Sequence, residues 1–279
     1  MDRIKKIEDF SAPELDIFVR LTGRELRRDI EEGRGIFIAE SSTVVEVAIA
    51  SGVEPIALLT DEKLLTTSSV VSILSAFPEI PVYTATTEVL KKLTGFALTR
   101  GVLCAMRRPV LKSAGEIIKN ARRIAVFDGI TDAANIGALF RSAAALNIDA
   151  VLVTSTCCDP LCRRAVRVSM GTVFQVPFTY IGESEEEWQT DGIELLRSMG
   201  FKTCAMALSD NSVSISAPEL KREEKLALVL GTEGSGLAPK TIFNCDYTVK
   251  IPMSHGVDSL NVACAGTLAF WELGRTDEG

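Results

Sequence analysis

Apolar positions along the chain fall into two successive series, each alternating short apolar runs with amphipathic stretches. In the first series, residues 13–32 carry a helical pattern ending near Gly33, GIFIAE (35–40) is a short apolar run, and residues 42–51 are amphipathic up to Gly52. PIALLT (55–60) reads as a strand. Helical stretches follow, then PVYTAT (81–86), then TTEVLKKL with a capping threonine before it, and GVLCAMRR (101–108) closes the series. Short bounded apolar runs fit buried strands, and apolar residues three and four apart fit one face of a helix. Residues 108–122 are polar and basic and read as a linker with a lead-in helix. The second series opens with a strand at RIAVF (123–127), a loop, and a helix from about 134 to 146. AVLVT (150–154) is a strand, DPLCRRAVRVSMG helical, VFQVPF a strand, and 185–199 a helix. KTCAMA (202–207), KLALVLG (225–231) and YTVKIP (247–252) are strands, and 259–273 is the last helix, with Ser259 fitting its N-cap. Alternation of this kind predicts layered α/β architecture twice over, in a domain spanning 1–110 and a second spanning 111–279.

Three segments of the second series carry candidate chemistry. In Asp128 to Arg141, a strand ends in a polar loop and a helix begins near Asn135, with Gly137 and Arg141 on one helix face. A salt-bridged arginine and a packing glycine would explain this segment equally well. Leu228 to Leu237 runs a buried-strand pattern into a turn with Gly231, Gly234 and Gly236. Glycines permit positive φ and close backbone approach to a ligand, but the Lys-Ser/Thr of a phosphate-binding loop and the dinucleotide glycine pattern are both missing. The third segment, Ile251 to Ala263, contains His255, Asp258, Ser259 and Asn261. It has no nucleophile elbow, so a hydrolase triad is disfavoured.

Composition narrows the class. Hydrophobic residues make up 47% and charged residues 24% of 279 positions, the profile of a soluble globular protein. No run reaches the roughly 18 apolar residues of a membrane span, and MDRIKKIEDF lacks the apolar stretch of a signal peptide, so a cytoplasmic protein without a membrane partner is expected. Seven cysteines form no disulfide framework, and Cys157, Cys158 and Cys162 lack a CxxC pair, so reduced thiols and no metal are expected. The net charge of −7 is unevenly spread: residues 1–123 hold 18 Lys/Arg against 17 Asp/Glu, and 124–279 hold 12 against 20. Basic clusters lie at Arg20 to Arg34, at 100–123, and at Arg163, Arg164 and Arg167.

The order Asn-x-Gly-x-x-x-Arg, Leu-Gly-x-Glu-Gly-x-Gly, then Ile-Pro-Met followed by Ser-Leu-Asn-Val-Ala resembles the three motifs of the SpoU (TrmH-like) family of SPOUT RNA ribose 2′-O-methyltransferases. Ser169 to Pro177 is similar to that family's Ser-x-Gly stretch. The first ~107 residues resemble the small ribosomal-protein-like domain that precedes it and binds RNA substrate, with Ala39-Glu40-Ser41 where Val-Glu-Gly is usual. The resemblance implies a SPOUT domain with a deep trefoil knot, S-adenosylmethionine as cofactor, and 2′-O-methylation of structured RNA, rRNA before tRNA. It further implies a homodimer through the knot region. Cofactor-binding candidates are Leu230, Gly231, Thr232, Gly234, Gly236, Ile251, Met253, Ser259, Leu260, Asn261 and Ala263. Catalytic candidates are Arg141, Asn135, Glu233, Ser259 and Asn261. Guanidinium is a poor base, so Arg141 is expected to clamp phosphate or stabilise alkoxide, with direct base action left open. The alternative is a catalytically silent RNA-binding protein that keeps the fold.

Overall fold

The computed structural model describes residues 3–8, 12–19, 35–94, 101–209, 211–232, 234 and 236–274. The helix expected over 13–32 falls largely outside them, as does the Arg20 to Arg34 cluster. The chain divides into two compact units, Met1–Val110 with Leu161–Phe174, and Leu111–Pro160 with Gln175–Gly279. Both are α/β, the expected class.

The first unit contains β1 (Ile4–Lys6), β2 (Ile36–Glu40), β3 (Pro55–Asp61), β4 (Val82–Ala85) and β5 (Val102–Arg107) in one sheet of order β1-β4-β3-β5-β2. β1, β4 and β3 run parallel, and β5 runs antiparallel to β3 and β2. Ile7, Leu15, Phe18, Ile38, Leu59 and Leu103 fill its core. β1 escaped the sequence pattern because all three of its residues are exposed at the sheet edge, leaving no apolar run to read.

The segment Leu161–Phe174, placed by the apolar pattern in the second series, packs into this first unit. Its helix Arg163–Val168 lies on β2, with Arg163 Nε 3.1 Å and Arg167 Nη1 3.4 Å from the buried Glu40 carboxylate. Two arginines of the Arg163, Arg164 and Arg167 basic cluster are therefore engaged by an acid, and only Arg164 of the three lacks that partner. Ser41 follows at φ 88°, the left-handed region that favours glycine, which accounts for a glycine being usual there. Its Oγ accepts from Val44 N at 3.4 Å and caps the helix Ser42–Ala50.

The second unit contains β6 (Arg123–Phe127), β7 (Ala150–Thr154), β8 (Phe178–Ile181), β9 (Lys202–Met206), β10 (Val213–Ser214), β11 (Leu226–Leu230) and β12 (Tyr247–Lys250). Their order is β10-β12-β9-β11-β6-β7-β8, and every adjacent pair is parallel. β6, β7 and β11 are buried at every position, which explains why they read as continuous apolar runs rather than alternating ones. Ile124, Val126, Leu152, Trp188, Leu196 and Val229 belong to the core on one sheet face.

Several expected boundaries shift, each for a local reason. VFQVPF is not a strand: Thr172–Phe174 is a 3-10 turn, and pairing starts at Phe178, opposite Val151. Pro177 has no N–H to give to a ladder, and its carbonyl takes Val151 N at 2.9 Å. The preceding helix ends at Val168, where Met170 and Gly171 take φ of 56° and 84°. The helix expected over 185–199 is one helical run whose middle, Trp188–Gly192, is π-wound. A Cβ on Gly192 would sit 2.8 Å from Trp188 Cε3, so this glycine makes room for the buried indole. The last helix is Val262–Leu273, and its N-cap is Asn261, not Ser259: Asn261 Oδ1 accepts from Ala263 N at 2.9 Å and Cys264 N at 3.3 Å. Among the described residues no helix is long and apolar enough to cross a membrane.

Arg123 is a correction to the 100–123 basic cluster. It is 8% exposed, and its guanidinium donates to the carbonyls of Leu273 (2.9 Å), Glu224 (2.9 Å), Glu223 (3.0 Å) and Arg122 (3.0 Å). It therefore ties the end of the C-terminal helix to the start of β6 and does not face RNA. Bonds to charged donors contribute about 1.5–3 kcal/mol each and their partners are costly to strand, so Arg123→Met should lower stability by at least roughly 3 kcal/mol in urea unfolding. Exposed Arg122→Ala should change it by less than about 0.5 kcal/mol.

Candidate active site

In open parallel sheets ligands bind beyond the carboxyl ends of the strands. Here the ends of β9, β11 and β12 open into a cavity of about 670 Å³. All the cofactor-binding candidates except Ala263 line it: Leu230, Gly231, Thr232, Gly234, Gly236, Ile251, Met253, Ser259, Leu260 and Asn261. Ala263 sits in the first turn of the C-terminal helix, 8% exposed, with its N–H committed to the Asn261 cap. Met206, Ala207 and Leu208, at and after the end of β9, also line the cavity. They were missed because KTCAMA read only as a strand, and nothing in a linear sequence says that β9 neighbours β11.

The glycine-rich loop closes on itself. Thr232 and Gly236 form an isolated bridge, and a Cβ on Gly231 would lie 2.6 Å from the backbone of both Gly236 and Leu237. Only a residue without a side chain permits that fold-back, and Gly231, Gly234 and Gly236 line the cavity with backbone. Such a wall, with Leu230, Ile251, Met253 and Leu260 around it, suits a flat apolar ring that also needs backbone hydrogen bonds, as an adenine does. The cavity thus fits an adenosine cofactor. Glu233 lies outside the described residues.

Asn135 and Asn261 are brought together. Asn261 Nδ2 donates to Asn135 Oδ1 at 3.0 Å, joining the first turn of the helix Ala133–Ala145 to the cap of Val262–Leu273. The two helices pack further along, where Ser142 Oγ and Thr267 Oγ1 are 2.6 Å apart. Both positive helix ends therefore converge at the cavity edge, favouring anionic or partly negative groups there. Arg141 is exposed, does not line the cavity, and pairs with no described residue. It lies six residues beyond Asn135, about 9 Å along the helix axis. Ser259 lines the cavity, is exposed, and its Oγ donates to Asp258 Oδ1 at 3.4 Å.

Cys157 serves the loop before this helix. Its Sγ donates to Phe127 O at 3.1 Å and accepts from Ile130 N at 3.2 Å, while burial pushes its thiol above the usual range and keeps it protonated. Among the described residues no group of His, Cys, Asp and Glu is arranged to hold a metal ion.

The profile of the SpoU rRNA methylase family matches residues 122–271. An uncharacterized tRNA/rRNA methyltransferase of Mycobacterium bovis is 38% identical over 275 residues, covering 98% of this chain and 92% of that protein. A 23S rRNA (guanosine-2′-O-)-methyltransferase of Acinetobacter baylyi is 32% identical over 202 residues, 70% of this chain and 79% of the relative. The crystal structure of an rRNA methyltransferase from Sinorhizobium meliloti shares the fold at a TM-score of 0.78, with 22% identity and 97% of each chain covered. A SpoU methyltransferase from Streptomyces viridochromogenes, solved in complex with AdoMet, does so at 0.73, with 23% identity over 88% of this chain and 92% of that one. Because the family profile spans more than half of the chain and a relative aligns along nearly all of it, this chain belongs to the SpoU rRNA methylase family and is an RNA methyltransferase.

Proposed function

We propose that the chain transfers a methyl group from S-adenosylmethionine to a ribose 2′-hydroxyl of structured RNA, ribosomal RNA in preference to transfer RNA. The observation that carries this reading is the glycine-walled cavity beside the Asn261–Asn135 pair. Relatives named as tRNA/rRNA and 23S rRNA (guanosine-2′-O-)-methyltransferases support the substrate class. The deep trefoil knot and a cytoplasmic setting belong to the same reading.

When bound, the cofactor supplies an electrophilic methyl on its sulfonium centre. Leu230, Ile251, Met253 and Leu260 hold its adenine, and the backbone at Gly231, Thr232, Gly234 and Gly236 approaches closely. The Oδ1 of Asn135 is occupied by Asn261, which leaves its amide N–H₂ to donate. That amide, with Ser259 and Glu233, orients the acceptor ribose. Alignment of nucleophile and methyl supplies much of the acceleration in a displacement of this type. Arg141 stays protonated and clamps the target phosphate or stabilises alkoxide charge as it develops.

Residues 1–110 select the RNA in this reading. Arg164 in the first unit and Lys112, Lys119 and Arg122 in the second are exposed cations open to phosphate contact. A second copy of the chain seats on the outer face of the C-terminal helix, where Leu268 is 45% and Trp271 68% exposed. Large apolar side chains side by side on one helix face are the usual material of an obligate interface.

Arg141→Ala should lower methyl transfer by roughly 100-fold or more while calorimetric binding of S-adenosylmethionine is unchanged. Turnover near the native rate would overturn the reading of Arg141. Light scattering should give twice the chain mass, and Trp271→Glu should give monomer; a fully active native monomer contradicts the assembly. RNA affinity should fall steeply between 50 and 200 mM salt, by roughly 10-fold or more, and a flat response argues against phosphate contacts.

A further inference from the structure

The loop between β6 and the helix bearing Asn135 and Arg141 begins with a buried acid that the reading above does not use. Asp128 is 8% exposed, and among the described residues no cation pairs with it. Its carboxylate accepts from Thr241 Oγ1 at 3.3 Å and from Thr154 Oγ1 at 3.5 Å. The indole N–H of Trp188 faces the same carboxylate without reaching hydrogen-bond distance of it or of any other described acceptor. Thr241, Thr154 and Trp188 are all fully buried. Burial lifts the Asp128 carboxyl above the usual range, Trp188, Thr241 and Thr154 oppose that shift, and the charge of Glu185 adds to it. An acid kept here without a cation costs stability, and an apolar residue would pack in its place more cheaply.

Asp128 is bonded to residues that adjoin the cavity lining. Thr241 belongs to the helix Pro239–Asn244, which directly follows the glycine-rich loop, and its neighbour Ile242 lines the cavity. The backbone N–H of Asp128 donates to the carbonyl of cavity-lining Leu230 at 2.9 Å. On the other side, Gly129 N donates to Thr154 Oγ1 at 3.2 Å, and four residues after Asp128 the cap Asp132 starts the helix Ala133–Ala145. Asp128 therefore touches the cavity wall through Thr241 and Leu230 and the catalytic loop through its own chain.

We propose that Asp128 is a positioning residue, tying occupation of the cofactor cavity to the seating of the loop and helix that carry Asn135 and Arg141. The proposal rests on the methyltransferase reading. With the cavity occupied, the helix Pro239–Asn244 would be restrained through its cavity-lining Ile242. The existing Thr241–Asp128 hydrogen bond would pass that restraint to the segment 128–136, which carries Asn135. Misplacement of reacting groups by about 1 Å costs on the order of 100-fold in rate without touching affinity.

Asp128→Asn keeps the shape and removes the charge. Its affinity for S-adenosylmethionine and its KM for ribosomal RNA should stay within about 3-fold of native, while kcat falls roughly 10- to 100-fold. Thr241→Val should lower kcat less, and the double variant should be no slower than Asp128→Asn alone, since both break one network. Amide hydrogen exchange across 129–136 should slow when S-adenosylhomocysteine binds the native chain, and that protection should be lost in Asp128→Asn. A kcat within 2-fold of native overturns the proposal. So does a parallel fall of cofactor affinity, KM and kcat together with a lower Tm, which marks a merely structural role. If the native chain methylates no RNA, the functional reading fails, and the exchange experiment still decides the coupling. Equal protection in both chains, or none in the native one, overturns it.

Discussion

β6 and β11 lie side by side in parallel, with Phe127 opposite Leu230, although most of the second unit separates them along the chain. The ladder continues one step past the strands, where Asp128 N donates to Leu230 O. This pairing brings the segment that leads to Asn135 and Arg141 next to the segment that folds back as the glycine-rich loop. Neither could form a site alone: one has a helix end and a cation, the other a backbone wall. Parallel strands require long crossovers, so contact between the two depends on a sheet buried on both faces and on the core that covers it. Trp188, wrapped by a π-turn and packed on that core, sits at the junction.

A second level of organisation acts on helices. Asn261 caps its own helix through Oδ1 and reaches Asn135 through Nδ2, so one side chain both starts the C-terminal helix and aligns it with the other. Loss of such a cap costs about 0.5–2 kcal/mol. The same amide fixes which way the Asn135 amide points, which couples stability of the helix to orientation of the site. Arg123 closes the far end of the same helix through the Leu273 carbonyl. The helix is thus held at both ends by groups that bring no apolar burial of their own.

Much of this was legible in the sequence, and the reasons are physical. β6, β7 and β11 have no polar residue except Arg123 at the start of β6 and Thr154 at the end of β7, so their identity was readable from the apolar run. Glycines 231, 234 and 236 signalled close backbone approach, and the structure uses Gly231 in that way. Polar residues with two competing uses were not legible. Ser259 was read as the cap, but Asn261, two residues on, holds that position through Oδ1 while its Nδ2 reaches Asn135. Arg123, Arg163 and Arg167 look like any surface cation in sequence, and their engagement depends on carbonyls and a carboxylate far away in the chain. Met206 to Leu208 became part of the cavity through strand order, which no local pattern encodes. β1 is exposed and short, and it exists because β4 offers an edge.

The account stands or falls on where a methyl group goes. Purified chain, ribosomal RNA or transfer RNA, and isotopically labelled S-adenosylmethionine should yield label on a ribose 2′-oxygen when nucleosides are resolved by mass spectrometry. The account predicts a single 2′-O-methylated nucleotide in ribosomal RNA and far less label in transfer RNA. No ribose methylation, or label confined to a base atom, would contradict it.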